Sequence, residues 1–229
     1  MHRSFVLVRR PVPIVVTPGG LVPLGVFALA FVAFSGGSKP SVLAAAALLG
    51  GVGGVLSLIV HELGHVSVAR RLSGVRPAKI TVISLGAATH LKGSYRSGRD
   101  QARMALGGPE ASLAFALALS VPLLLPAPVW LKLGALGLAL LNVLIAILSL
   151  LPVHPLDGHK LIVGLVWWAV GSEDGARRII RRVGMSLLAV DFAAVVLLLA
   201  EKPLLGTTVG ALAAVAFAQK RLLGRPAGV

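Results

Sequence analysis

The sequence predicts an all-α polytopic membrane protein of about six transmembrane helices with a small membrane-associated β-hairpin or sheet. Three observations predict it. Of the 229 residues, 56% are hydrophobic and only 13% charged, and the mean hydropathy is +0.91, a composition foreign to soluble domains. The apolar residues form long uncharged runs parted by short turns rich in Gly, Pro, Lys and Arg. One stretch, 75–94, departs from that pattern with β-branched residues and poor helical periodicity.

Residues 1–20 form a basic arm with Arg3, Arg9 and Arg10. It continues into Pro11–Val16, read as an edge strand at the membrane face. The first apolar span is Leu21 to Phe34, and the turn 36–40 follows it. The second span, Ser41 to Leu72, carries no charge between Ser41 and Val60 and contains Gly50, Gly51, Gly53 and Gly54, which permit close helix contact. Residues 79–85 and 87–91 read as two strands joined near Gly86. Met104 to Leu125 and Val129 to Leu151 are the third and fourth spans. Residues 159–182, with Trp167, Trp168 and an arginine cluster, have too short an apolar run to cross and read as a surface segment. The fifth and sixth spans are 183–200 and 204–218.

The whole chain, 1–229, reads as one integral-membrane domain, with no stretch of mixed composition for a PDZ, CBS or other nucleotide-sensing module. Cysteine is absent, which removes disulfides and thiolate chemistry. A net charge of +14 raises nucleic acid as a partner. The cations instead sit in short loops, where they set topology and meet lipid headgroups. Of the 22 Lys and Arg, only Lys39, Lys132 and Lys202 fall in the turns that six spans place outside. Both termini are therefore expected on the cytoplasmic side of a plasma membrane.

The chemistry centres on His61-Glu62-Leu63-Gly64-His65. On a helix, His61 and His65 lie about one turn apart on one face, so both imidazoles can reach one metal ion. Glu62 is placed to act as general base on a water at that ion. Ionisable residues in an apolar helix are costly without partners, so the cluster reads as functional. A third protein ligand is needed, with a position left open for water. The candidates are Asp157, Glu110, Asp191, His90, His154 and His159. Asp157 stands at the inner end of the fourth span, at a depth like that of His61. Pro152 and Pro155 break the helix before it.

These residues resemble a known pattern. His61-Glu62-Leu63-Gly64-His65, Gly108-Pro109-Glu110-Ala111-Ser112 and Leu151-Pro152-Val153-His154-Pro155-Leu156-Asp157-Gly158 resemble, in order and spacing, the motifs of the site-2 protease family of intramembrane zinc metalloproteases. The resemblance covers about residues 45–160, the family's three-helix core. It implies one zinc per chain held by His61, His65 and Asp157, with Glu62 catalytic. It also implies a membrane-spanning protein substrate, such as a tethered transcription regulator or an anti-sigma-type factor, cut within the bilayer.

Two departures stand out. Ser112 and Ser149 occupy positions where the family pattern has asparagines that handle substrate. Asn142, two turns before Ser149, is a candidate stand-in, or an interhelical polar contact. The alternative reading is a catalytically weak or inactive relative that binds membrane proteins; the intact Glu62 opposes it. A zinc transporter would need several sites along a path, whereas the spacing assembles one. The strand 79–85 is expected to offer a free edge on which an unwound substrate pairs, with Val82 and Ile83 as the contact positions.

Overall fold

The computed structural model describes residues 5–8, 12–36, 39–84 and 86–183. The chain runs β1 (Phe5–Val8), β2 (Ile14–Val16), α1 (Leu21–Phe34), α2 (Pro40–Ala69), β3 (Val75–Ile83), β4 (Gly86–Gly93), α3 (Gly98–Leu124), α4 (Val129–Ser149) and α5 (Asp157–Val170). The architecture is mostly helical, with one four-stranded sheet.

Local chemistry sets the helix boundaries. Pro40 sits in the first turn of α2, where its missing N–H costs nothing. Ser97 caps α3 by accepting the Asp100 N–H at 3.2 Å, and the Asp100 charge favours that end of the helix. Among the described residues, α2, α3 and α4 are long and apolar enough to cross a membrane. This is a membrane protein by that composition. The first apolar span is helical over its expected bounds, but the 14 residues of α1 fall short of the roughly 20 that a bilayer crossing needs. The expected fifth and sixth spans lie, past Val183, outside the described residues. The segment read as surface-lying is helical, and α5 packs on the start of α3, where Gly98 and Gly164 bring the two backbones close.

The predicted hairpin exists but is half of a larger sheet. Its order is β1-β2-β3-β4, with β1–β2 antiparallel, β2–β3 parallel and β3–β4 antiparallel. Ile14, Val15 and Val16 lie opposite Ile80, Thr81 and Val82. The N-terminal strand expected at an edge is thus internal, because β1 covers its other side. The same pairing corrects the expected substrate edge. Val82 is buried between β2 and β4, and Ile83 closes the hairpin opposite Gly86. Among the described residues the free edge on this side belongs to β4.

Ile80 and Val82 point from the sheet onto Ile59 and Val66 of α2, with Val12 and Ile14 completing that core. Ile59 and Val66 are seven residues apart, two turns on one face. A different face of α2 meets α3. At their crossing, a Cβ on Gly64 would collide with the Gly107 carbonyl oxygen and lie 2.6 Å from the Ala111 methyl. The two helices touch through backbone there, as small residues allow in membrane bundles.

Gly64→Ala therefore has no space at that crossing. We expect it to destabilise the protein by about 1–3 kcal/mol, the range for overpacking a tight interior. Thermal unfolding in detergent measures this; an unchanged midpoint would mean that the helices separate freely.

Candidate metal centre

Three side chains from two elements converge on one buried point. His61 and His65 project from α2, and Asp157 opens α5 just after the proline-rich turn 151–156. All three are buried, at 6%, 5% and 6% exposure. The Nε2 atoms of both histidines lie 3.1 Å from Asp157 Oδ2. The three ligand atoms lie within 4.8 Å of one another. Atoms bound tetrahedrally at about 2 Å from one zinc ion stand roughly 3.3 Å apart, so the spacing fits the ion.

Their other atoms are held as ligands require. His65 Nδ1 lies 2.8 Å from the Met104 carbonyl oxygen. A carbonyl only accepts, so Nδ1 carries the proton and the neutral ring has its lone pair on Nε2, facing the ion's place. His61 Nδ1 is 3.0 Å from Ser112 Oγ, a hydroxyl able to accept from it and so hold that ring in the same sense. Lys160 Nζ lies 2.8 Å from Asp157 Oδ1, leaving Oδ2 for the shared point.

The space in front of the ligands is kept open by an absent side chain. A Cβ on Gly108 would collide with Nε2 of both His61 and His65. The α3 backbone thus borders the ion's place with nothing to fill it. The donor set, two imidazoles and a carboxylate with room beside them, is that of a zinc site keeping one position open.

Glu62, also buried at 7%, faces β4, where Thr89 Oγ1 is 2.6 Å from its Oε2. The remaining predicted residues divide. Ser112 is fully buried against His61 and serves the ligand face. Asn142 bonds Ser57 Oγ at 2.8 Å and its own helix at Leu138, an interhelical contact one turn before His61. Ser149 turns back to the Ala146 carbonyl. Val82 and Ile83 lie in the sheet, away from its free edge. Of the other ligand candidates, Glu110 is exposed on α3, while His154 and His159 stack edge-on beside the turn. His90 is exposed on β4, and Asp191 lies outside the described residues. Sequence reasoning missed Thr89 and Lys160; only Lys160, three residues after Asp157, stands at a spacing that signals contact on a helix.

Comparisons with known proteins agree with this geometry. No protein-family model matches the chain. The protein named "Putative zinc metalloprotease Rip3" of Mycobacterium tuberculosis is 34% identical over 163 residues, covering 64% of this chain and 40% of that protein. "Putative zinc metalloprotease sll0528" of Synechocystis is 30% identical over 131 residues, 56% of this chain and 34% of that protein. This chain thus spans less than half the length of these curated relatives. The solved structure of the site-2 protease from Methanocaldococcus jannaschii superposes with a TM-score of 0.57 at 18% identity, covering 99% of this chain and 98% of that one. The chain is thus similar in sequence to two proteins named as zinc metalloproteases, and its fold is that of a site-2 protease. Relative to the family pattern, Ser112 in place of asparagine spends its hydroxyl on His61 rather than on the open side of the site.

Asp157→Ala should abolish stoichiometric zinc binding, and Ser112→Ala should weaken zinc affinity by about 10- to 100-fold, as loss of an orienting partner does. Metal analysis and competition with a chelator measure both. Full occupancy in Asp157→Ala would remove that residue from the centre.

Proposed function

We propose that this chain is an intramembrane zinc metalloprotease that hydrolyses peptide bonds within transmembrane segments of membrane-tethered proteins. One observation carries the reading: His61, His65 and Asp157 meet at one buried point on a membrane-length helix, with Glu62 beside them. One zinc per chain, held by those three side chains, would make a water acidic, toward a pKa of about 7, and polarise a peptide carbonyl. Glu62 takes the proton from the attacking water and delivers it to the leaving amine. Burial excludes bulk water from both groups.

A helical substrate hides its carbonyls and has to be unwound. The free edge of β4 supports a place for the unwound stretch. Ile80 N–H bonds the Pro13 carbonyl, so it points toward β2. Its antiparallel partner Thr89 then directs its N–H away from β3, as do Ala87 and Leu91 at the same parity. These three donors line the edge next to Glu62. A substrate strand added there would satisfy them and lie extended across the centre. In this reading the substrate is a tethered transcription regulator or anti-sigma-type factor.

The second reading, a weak or inactive relative that binds membrane partners, draws on Ser149, whose hydroxyl is turned into its own helix rather than toward a substrate. Purified protein incubated with a panel of tethered-regulator segments separates the two. We expect cleavage by the native chain and none by Glu62→Gln. Equal turnover, or none in either, favours the binding reading. Ala87→Pro, which removes one outward donor worth about 1 kcal/mol, should slow cleavage several-fold with zinc content intact.

We further propose a multi-pass protein of the plasma membrane, with both termini and residues 70–103 cytoplasmic, on the distribution of Lys and Arg. A single cysteine at Lys92 should resist an impermeant thiol reagent applied outside. Labelling from that side would reverse the orientation.

A further inference from the structure

We propose that Thr89 is a positioning residue for Glu62, tying the general base to the strand that receives substrate. The inference rests on the hydrolytic reading above and adds to it a residue outside every motif.

A general base works only if its carboxylate is aimed. Glu62 is reached by a flexible side chain, and its helix fixes only the Cα. Among the described residues, its carboxylate is hydrogen-bonded by Thr89 alone, with Oγ1 at 2.6 Å from Oε2. The same hydroxyl lies 3.2 Å from the Glu62 backbone carbonyl. It has one proton to give, and the shorter contact is to the carboxylate, a charge-assisted bond. Thr89 thus holds the side-chain oxygen of Glu62 while sitting close to its main chain. That contact fixes the rotamer. With Oε2 occupied, Oε1 is left for the reacting water.

The position of Thr89 gives the contact a second meaning. Its side chain faces α2 while its N–H faces the free edge. A strand pairing at that edge would bond the main chain of the very residue whose hydroxyl holds the base. Seating of substrate and aim of the base therefore share one residue, and a displaced β4 would leave Glu62 without its partner. Neighbouring Ala87 and Leu91 pack toward the same side, against the cores beneath the sheet, and hold the strand in register.

The test uses the full chain in detergent with Thr89→Val, which keeps shape and strand propensity but removes the hydroxyl, and Thr89→Ser, which restores it. We expect Thr89→Val to lower kcat by about 10- to 100-fold, the scale of a misplaced catalytic group, with KM changed by no more than about twofold. Thr89→Ser should recover most of kcat, and zinc content should match the native chain in both. A readout independent of turnover is a double-mutant cycle of Thr89→Val with Glu62→Gln on the unfolding midpoint of the metal-free protein. The two changes should be non-additive, because Thr89→Val removes the bond's donor and Glu62→Gln replaces its charged acceptor by a weaker amide oxygen. Native kcat in Thr89→Val, failure of Thr89→Ser to restore it, or an additive cycle overturns the proposal. If the native chain cleaves no segment of the panel, the hydrolytic reading fails, and the cycle still decides whether Thr89 holds Glu62.

Discussion

The structure depends on how closely α2 and α3 cross. With no side chains at Gly64, Gly107 and Gly108, the two backbones meet directly. That contact brings the Met104 carbonyl and Ser112 hydroxyl of α3 within hydrogen-bond reach of two imidazoles on α2. It also leaves an uncluttered surface before both Nε2 atoms. A wider crossing would free the rings, and a side chain at Gly108 would fill the ion's place. In a bilayer, where lipid tails are as apolar as leucine, such backbone proximity stands in for the hydrophobic force that packs soluble cores.

A second constraint comes from the sheet. Open strand edges do not survive against lipid. Here β2 seals one side of β3, and α2 covers one face through Ile59 and Val66. Among the described residues the sheet ends in β1 on one side and β4 on the other, and the β4 edge stands beside Glu62. The fold thus sets unpaired backbone where an extended peptide would be handled. Asp157 completes the arrangement from another direction. As the first residue of α5 it sits where a carboxylate is favoured by the helix dipole, and the packing of α5 on α3 sets its depth.

Much of this was legible in the chain. The spacing of His61 and His65, the charge-free run before them and the proline-flanked Asp157 are local signals, and each landed where its pattern pointed. The strand character of 75–94 was equally local. What could not be read were pairings between distant segments. Nothing in Ile14–Val16 states that it lies parallel to Ile80–Val82, so the free edge was assigned to the wrong strand of the hairpin. The role of Ser112 was hidden for a related reason: its partner His61 is on another helix, and a serine in place of asparagine reads as loss of function until its hydroxyl is seen on the ring. Thr89 carried no signal, since threonine is ordinary in a strand and its contact with Glu62 exists only once β4 docks on α2.

The parallel pairing of β2 with β3 has a consequence for how the chain is threaded. Ile14 and Ile80 are neighbours in one sheet, so everything between them, α1 and α2 included, is an excursion that leaves the sheet and returns to it. A ribosome releasing this chain would present the first strands long before their partner exists. Their pairing is completed only when β3 emerges. The first two strands are thus joined to the sheet last, and the helix bearing both histidines packs on that sheet through Ile59 and Val66.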